Sequence, residues 1–138
     1  MLRRLAPVIV VVLASTGCGA SHSGDDKAIR SVVNGFLEAI ADGDAPKACS
    51  KLTAEGRRSL FSAANEAACE RTVHKQSQNA RPRDRTRLRN AFVVRVKFTG
   101  KNTARAYIKF PTFDAPAAPL RLRRVGTRWL ILGPPKGG

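Results

Sequence analysis

Ala91-Phe-Val-Val-Arg-Val-Lys-Phe98-Thr-Gly-Lys-Asn102-Thr-Ala-Arg-Ala-Tyr-Ile-Lys-Phe110 alternates apolar and cationic side chains twice, on either side of a Gly-containing turn. A strand places successive side chains on opposite faces, so a period of two marks a strand with one face buried. Phe92, Val94, Val96 and Phe98 then share the inner face, against Val93, Arg95 and Lys97. After the turn Thr99-Gly-Lys-Asn102, residues Ala104, Ala106, Ile108 and Phe110 face inward, with Arg105, Tyr107 and Lys109 opposite. The Pro/Ala-rich stretch Pro111–Pro119 reads as a loop. Leu120 and Leu122 open a third strand whose other face carries Arg121 and Arg123, and Val125-Gly-Thr127 turns into a fourth, Arg128–Leu132.

The half before these strands has a different period. Ile29, Val32, Val33, Phe36, Leu37 and Ile40 recur at helical spacing behind a cap at Asp25 or Asp26. Asp42-Gly-Asp44 breaks that helix. Asp44 caps a short one through Ala45-Pro46 to Leu52, and Thr53 caps another carrying Leu60 and Phe61. Ala63–Gln76 reads as a further helix with Cys69 and Val73 on its inner side. Arg81-Pro-Arg-Asp-Arg-Thr-Arg-Leu-Arg89 is dense in Arg and carries a Pro that discourages helix, so it reads as the boundary between helices and strands. Helices followed by antiparallel strands predict an α+β fold, with helices packed on one face of a curved sheet of about four strands.

At the other end, Arg3 and Arg4 precede an apolar run, Leu5–Ala14, and then small residues. That is the pattern of an export signal, and the run is shorter than the roughly 20 apolar residues needed to cross a bilayer. Ser15-Thr-Gly-Cys18 resembles a bacterial lipobox, in which Cys18 receives lipid and becomes the first mature residue; Ser15 stands where Leu is usual. The resemblance implies a signal over residues 1–17 and a lipid-anchored, extracytoplasmic protein at the cell membrane; secretion without lipid is the other reading. Residues 18–25, small and polar, read as a flexible tether, with His22 part of the spacer. The domain spans residues 26–133, and 134–138 form a tail. One domain and one modest core fit this length.

The 138 residues include 25 basic and 10 acidic side chains, a net charge of +15. Without residues 1–17, twenty-three basic against ten acidic residues leave +13. Such a surface attracts anions: lipid headgroups, cell-wall polymers or acidic proteins. Export and the absence of a recognition motif argue against nucleic acid. Cys49 and Cys69 are the two cysteines within the domain. An oxidising compartment lets them pair, and two buried free thiols are the alternative.

The long first helix, the Gly43-Asp-Ala45 step, and the closing run Leu120-Arg-Leu-Arg-Arg-Val-Gly-Thr-Arg-Trp-Leu-Ile131 together resemble the nuclear transport factor 2-like (SnoaL-like) superfamily. Within it, the resemblance is specifically to small exported lipoproteins of high-GC bacteria. Such proteins often keep an Ala-Cys in the second helix and a Cys-Glu in a later one, here Ala48-Cys49 and Cys69-Glu70. The resemblance covers about residues 26–133. It implies a cone of sheet and helices, which often encloses a pocket, and a Cys49–Cys69 disulfide. It carries over no chemistry.

Catalysis in such a cone needs a carboxylate or His projecting inward, where burial can tune its proton affinity. From Ala91 to Phe110 and from Leu120 to Leu132 there is no Asp, Glu or His. Asp114 lies in the Pro/Ala loop, His74 near a helix end beside Lys75, Gln76 and Ser77, and Tyr107 on the polar strand face. Ser50, Ser59 and Ser62 have no evident His and acid partners for a triad. No catalytic, cofactor or metal residue is assigned. The charge segregates instead: residues 18–70 hold six basic and eight acidic side chains, and residues 71–138 hold seventeen and two. Strand parity gathers Arg95, Lys97, Arg105, Lys109, Arg121 and Arg123 on one sheet face, the candidate surface for an anionic partner. The bland alternative is a solvated face whose charges block edge pairing. The functional expectation is a non-catalytic binding or accessory module. Its rivals are a small-molecule binder or enzyme using the cone, and a protein-interaction or inhibitory module.

Overall fold

The computed structural model describes residues 22–111 and 114–137. The segments expected as export signal and most of the expected tether, with Cys18, lie outside them. Helix α1 (Ser23–Asp42), α2 (Ala45–Ser50), α3 (Ala54–Phe61), α4 (Glu66–Asn79) and α5 (Pro82–Asn90) precede strands β1 (Phe92–Phe98), β2 (Thr103–Lys109), β3 (Ala118–Val125) and β4 (Arg128–Gly133). The strands pair consecutively and antiparallel in one sheet, in the order β1-β2-β3-β4. The fold is therefore α+β, with helices packed on a four-stranded antiparallel sheet.

Local chemistry sets the helix ends. Gly43, in the left-handed region at φ 71°, ends α1, and the Asp44 N–H turns back to the Ala39 carbonyl at 2.9 Å. Side-chain oxygens of Asp44, Thr53 and Asn65 accept from the backbone N–H groups of Lys47, Gly56 and Ala68, which otherwise lack intrahelical partners. Helix α1 begins at Ser23, so residues 23–25, expected within the tether, are helical.

The Arg81–Arg89 run is a helix, contrary to the expectation. Pro82 occupies the first turn, where its missing N–H costs nothing. Asp84 sits in that first turn and Arg87 and Arg89 in the last, an order that complements the helix dipole. Leu88 packs on the core, Arg85 donates to the Ser77 carbonyl and Arg89 to Asp42, which ties α5 to its neighbours.

Strand β1 departs from simple alternation. Val93 pairs with Ile108 and Arg95 with Tyr107, so Val94 is an extra residue without a cross-strand partner. A bulge of this kind shifts the side-chain faces by one residue. Val93, Val96 and Phe98 consequently pack toward the core, whereas Phe92 and Val94, expected inside, are 45% and 42% exposed. A second irregularity falls between Arg121 and Leu122 opposite β4. Strand β3 starts at Ala118, within the stretch expected as loop.

Ile29 and Val33 of α1 are buried together with Ala104, Ala106, Leu122, Trp129 and Ile131 of the sheet. The outer edge of β4 is covered: Ile131 receives the Thr53 N–H and donates to the Lys51 carbonyl, forming a short parallel bridge. Strand β1 is the other edge, and the Arg30 guanidinium donates to its Val93 carbonyl at 2.8 Å. Cys49 and Cys69 are bonded, joining α2 to α4 with Cα atoms 6.0 Å apart.

Candidate anionic-partner surface

The register of the sheet builds the outer face row by row. Lys97 pairs with Arg105 and Arg105 with Arg121, so three cations stand side by side across three strands. The next row is Arg95, Tyr107 and Pro119, followed by Phe92 with Lys109; Thr103 and Arg123 form a row on the other side. Like charges directly opposite one another destabilise a sheet, so this arrangement carries an energetic cost.

The six cations are not equivalent. The Arg95 guanidinium lies 4.2 Å from the centre of the Tyr107 ring. Burial pushes the Tyr107 phenol up, but hydrogen bonds from Arg105 and Arg95 and their positive charges outweigh it and hold the group below its ordinary value. Arg121 turns away from the row: its Nε donates to the Pro134 carbonyl at 3.1 Å and its Nη2 to Glu55 at 3.3 Å. Glu55 also faces Lys136 at 3.2 Å. The Lys136 and Arg121 hydrogen bonds hold the Glu55 carboxyl below the usual range, against a smaller opposing effect of burial. Since a lowered folded pKa stabilises above the unfolded value, this pairing persists at neutral pH and is lost only in acid. Arg121 therefore serves to hold the C-terminal segment. Lys97, Lys109 and Arg123 are exposed and have no carboxylate within 4.0 Å among the described residues.

Phe92 and Val94 join this face, an apolar component that strict alternation concealed. The signal was the run Phe92-Val-Val94, since three successive apolar residues cannot all lie on one side of a regular strand. Glu55 was also missed, because its cationic partner is 66 residues away in sequence.

The interior holds no titratable side chain: Thr53 is the one buried polar or charged residue among those described, and its hydroxyl accepts from Gly56 and lies 3.3 Å from the Ile131 carbonyl. Asp114 is exposed. His74 is exposed on α4, with its Nε2 3.2 Å from Gln78 Nε2. His22, read as spacer, instead stacks on Phe98 with ring centres 4.0 Å apart. The Ser50 hydroxyl donates to the Lys47 carbonyl, and Ser59 lies against Gly133. No group of three or more His, Cys, Asp or Glu gathers among the described residues.

Surface hollows of about 270, 440 and 550 Å³ are lined, respectively, by residues such as Lys51 with Arg128, Glu70 with His74, and Glu55 with Arg58. None of these three reaches Ile29, Val33, Ala106 or Ile131. No helix among the described residues is long and apolar enough to cross a membrane. No family model matches the chain, and no curated protein matches it.

Proposed function

We propose that this chain is a lipid-anchored, extracytoplasmic domain of the nuclear transport factor 2-like cone type, acting as a binding or accessory module whose outer sheet face takes an anionic partner. Helices followed by four consecutive antiparallel strands, with α1 against the sheet, agree with the cone that the resemblance implies. The apolar interior, whose one buried polar side chain among the described residues is Thr53, favours the surface over an internal pocket as the working part.

The observation that carries the reading is the in-register row of Lys97, Arg105 and Arg121, of which only Arg121 has a carboxylate partner among the described residues. An electrostatic cost retained on an exposed face is repaid when an anion neutralises it. Exposed Phe92 and Val94 beside Lys109 and Arg95 add apolar contact area to the same surface.

The test is titration of the purified chain with fluorescent poly-glutamate across a salt series. Binding at 0.1 M salt should vanish toward 1 M, as the Debye length falls from about 10 Å to about 3 Å. Lys97→Glu with Arg105→Glu should abolish it, while Glu66→Gln on α4 should leave it unchanged. Equal binding by the double variant and the parent would return the row to a solvated face.

A further inference from the structure

We propose that the end of the sheet formed by the β1–β2 and β3–β4 turns is the surface held against the bilayer, so that the basic sheet face stands upright beside the membrane; this rests on the lipid anchor of the preceding reading. The two turns are neighbours, since the Arg124 N–H donates to the Asn102 carbonyl at 2.8 Å. The chain enters the domain at this end. His22 stacks on Phe98, the last residue of β1, and Phe98 meets Trp129 edge-on at 6.2 Å. The Trp129 indole N–H donates to Asp25 at 3.1 Å, and Arg124 approaches the same carboxylate at 3.7 Å. These contacts pin the start of α1 to the turn end of β1 and β4.

Four residue steps separate Cys18 from His22. Even fully extended they span only about 14 Å. A lipid on Cys18 therefore confines the turn end to the headgroup layer and its immediate surroundings.

The chemistry of that end fits an anionic bilayer. Val125, the last residue of β3 before the Gly126-Thr127 turn, is 46% exposed, and Lys101, Arg123 and Arg128 are exposed cations around the turns, Arg128 also reaching the Ser50 carbonyl at 3.5 Å. The acids nearby are already engaged, Asp25 as described and Asp26 by Arg30. Asp42 and Asp44 lie at the far end of α1, whose 20 residues set them about 30 Å from His22. The tether thus leaves the molecule at an end that carries exposed cations and an exposed apolar side chain, whereas at the other end of α1 Asp42 is engaged by Arg89 of α5 and Asp44 caps α2. Lys97 and Arg105, further down the sheet, remain open to a partner other than the underlying lipid.

The experiment uses the full lipid-bearing chain in phosphatidylcholine vesicles containing phosphatidylglycerol, with a single cysteine added in turn by Val125→Cys, Lys97→Cys or Asp114→Cys. Cys49 and Cys69 are bonded and Cys18 carries the lipid, so only the new thiol takes an environment-sensitive fluorophore. Quenching by nitroxide-bearing lipids should be strongest at position 125, weaker at 97 and least at 114. Arg123→Gln and Arg128→Gln should each lower the quenched population at 125 about fivefold, the factor expected from loss of one basic residue near anionic headgroups. Equal quenching at the three positions, or a maximum at 97, in a chain that carries lipid by mass and floats with the vesicles overturns the orientation and leaves the anchor standing. A chain without lipid that does not float removes the anchor and the orientation together.

Discussion

Gly56 shows how tightly single residues are committed in this domain. It is buried in α3, where Ala would ordinarily be favoured by about 1 kcal/mol over Gly. Here a Cβ would be driven into the Ile131 carbonyl oxygen, a backbone atom held in the bridge to Leu52 and Thr53. Gly56→Ala should therefore destabilise the protein by about 1–3 kcal/mol, the usual cost of overpacking. Chemical denaturation followed by circular dichroism measures it, and an unchanged or higher midpoint would refute the close approach of α3 to β4. The propensity of Gly56 is visible in sequence, but its contact with a residue 75 positions later is not. The same holds for Arg121. Its strand parity was legible, whereas its engagement by Glu55 depends on α3 lying beside β4.

Among the elements, α2 has only 6 residues, too few to be stable by its own hydrogen bonds. Its buried Ala45, Ala48 and Cys49 and the bond from Cys49 to Cys69 of α4 hold it in place. Opening that bond by Cys49→Ala with Cys69→Ala should cost about 3 kcal/mol in the chain-entropy account, given the 20-residue separation. Thermal unfolding of the double variant against the oxidised parent tests this. Equal midpoints would show that packing alone fixes α2. Element types were legible wherever one period dominated, as in α1 and β2. They were not legible at α5, where Pro82 was weighed as a helix breaker although its position in a first turn makes it a helix starter. In β1, the alternation was read through the bulge at Val94, and so Phe92 was placed on the wrong side.

For the whole molecule, the central quantity is the distribution of charge, with the excess of basic residues confined to residues 71–138. The fold places much of this excess on the outer sheet face, at the turn end and along α5. In the proposed reading, the anchor at Cys18 decides which of these regions meets lipid. Cys18→Ala should move the chain from the membrane fraction to the soluble fraction and remove the lipid from its mass. An unchanged distribution and mass would rule out the lipoprotein reading. Such a result would leave the polyanion titration of the sheet face informative on its own, because Lys97 and Arg105 are far from the N-terminal segment in sequence.

Legible in the chain alone were four helices ahead of four strands, though not α5 between them, the parity of Arg105, Tyr107 and Lys109, and the availability of Cys49 and Cys69 for pairing. These follow from short-range periodicity, capping chemistry and residue counts, all of which are local. Tertiary structure alone decided that Val94 bulges and turns Phe92 outward, that Arg121 is taken up by Glu55, and that His22 and Asp25 clamp onto Phe98 and Trp129. The reason is physical: each of these depends on strand register or on contacts between residues distant along the chain, 104 positions apart for Asp25 and Trp129. No local pattern encodes which of several compatible partners the packed core will bring within reach.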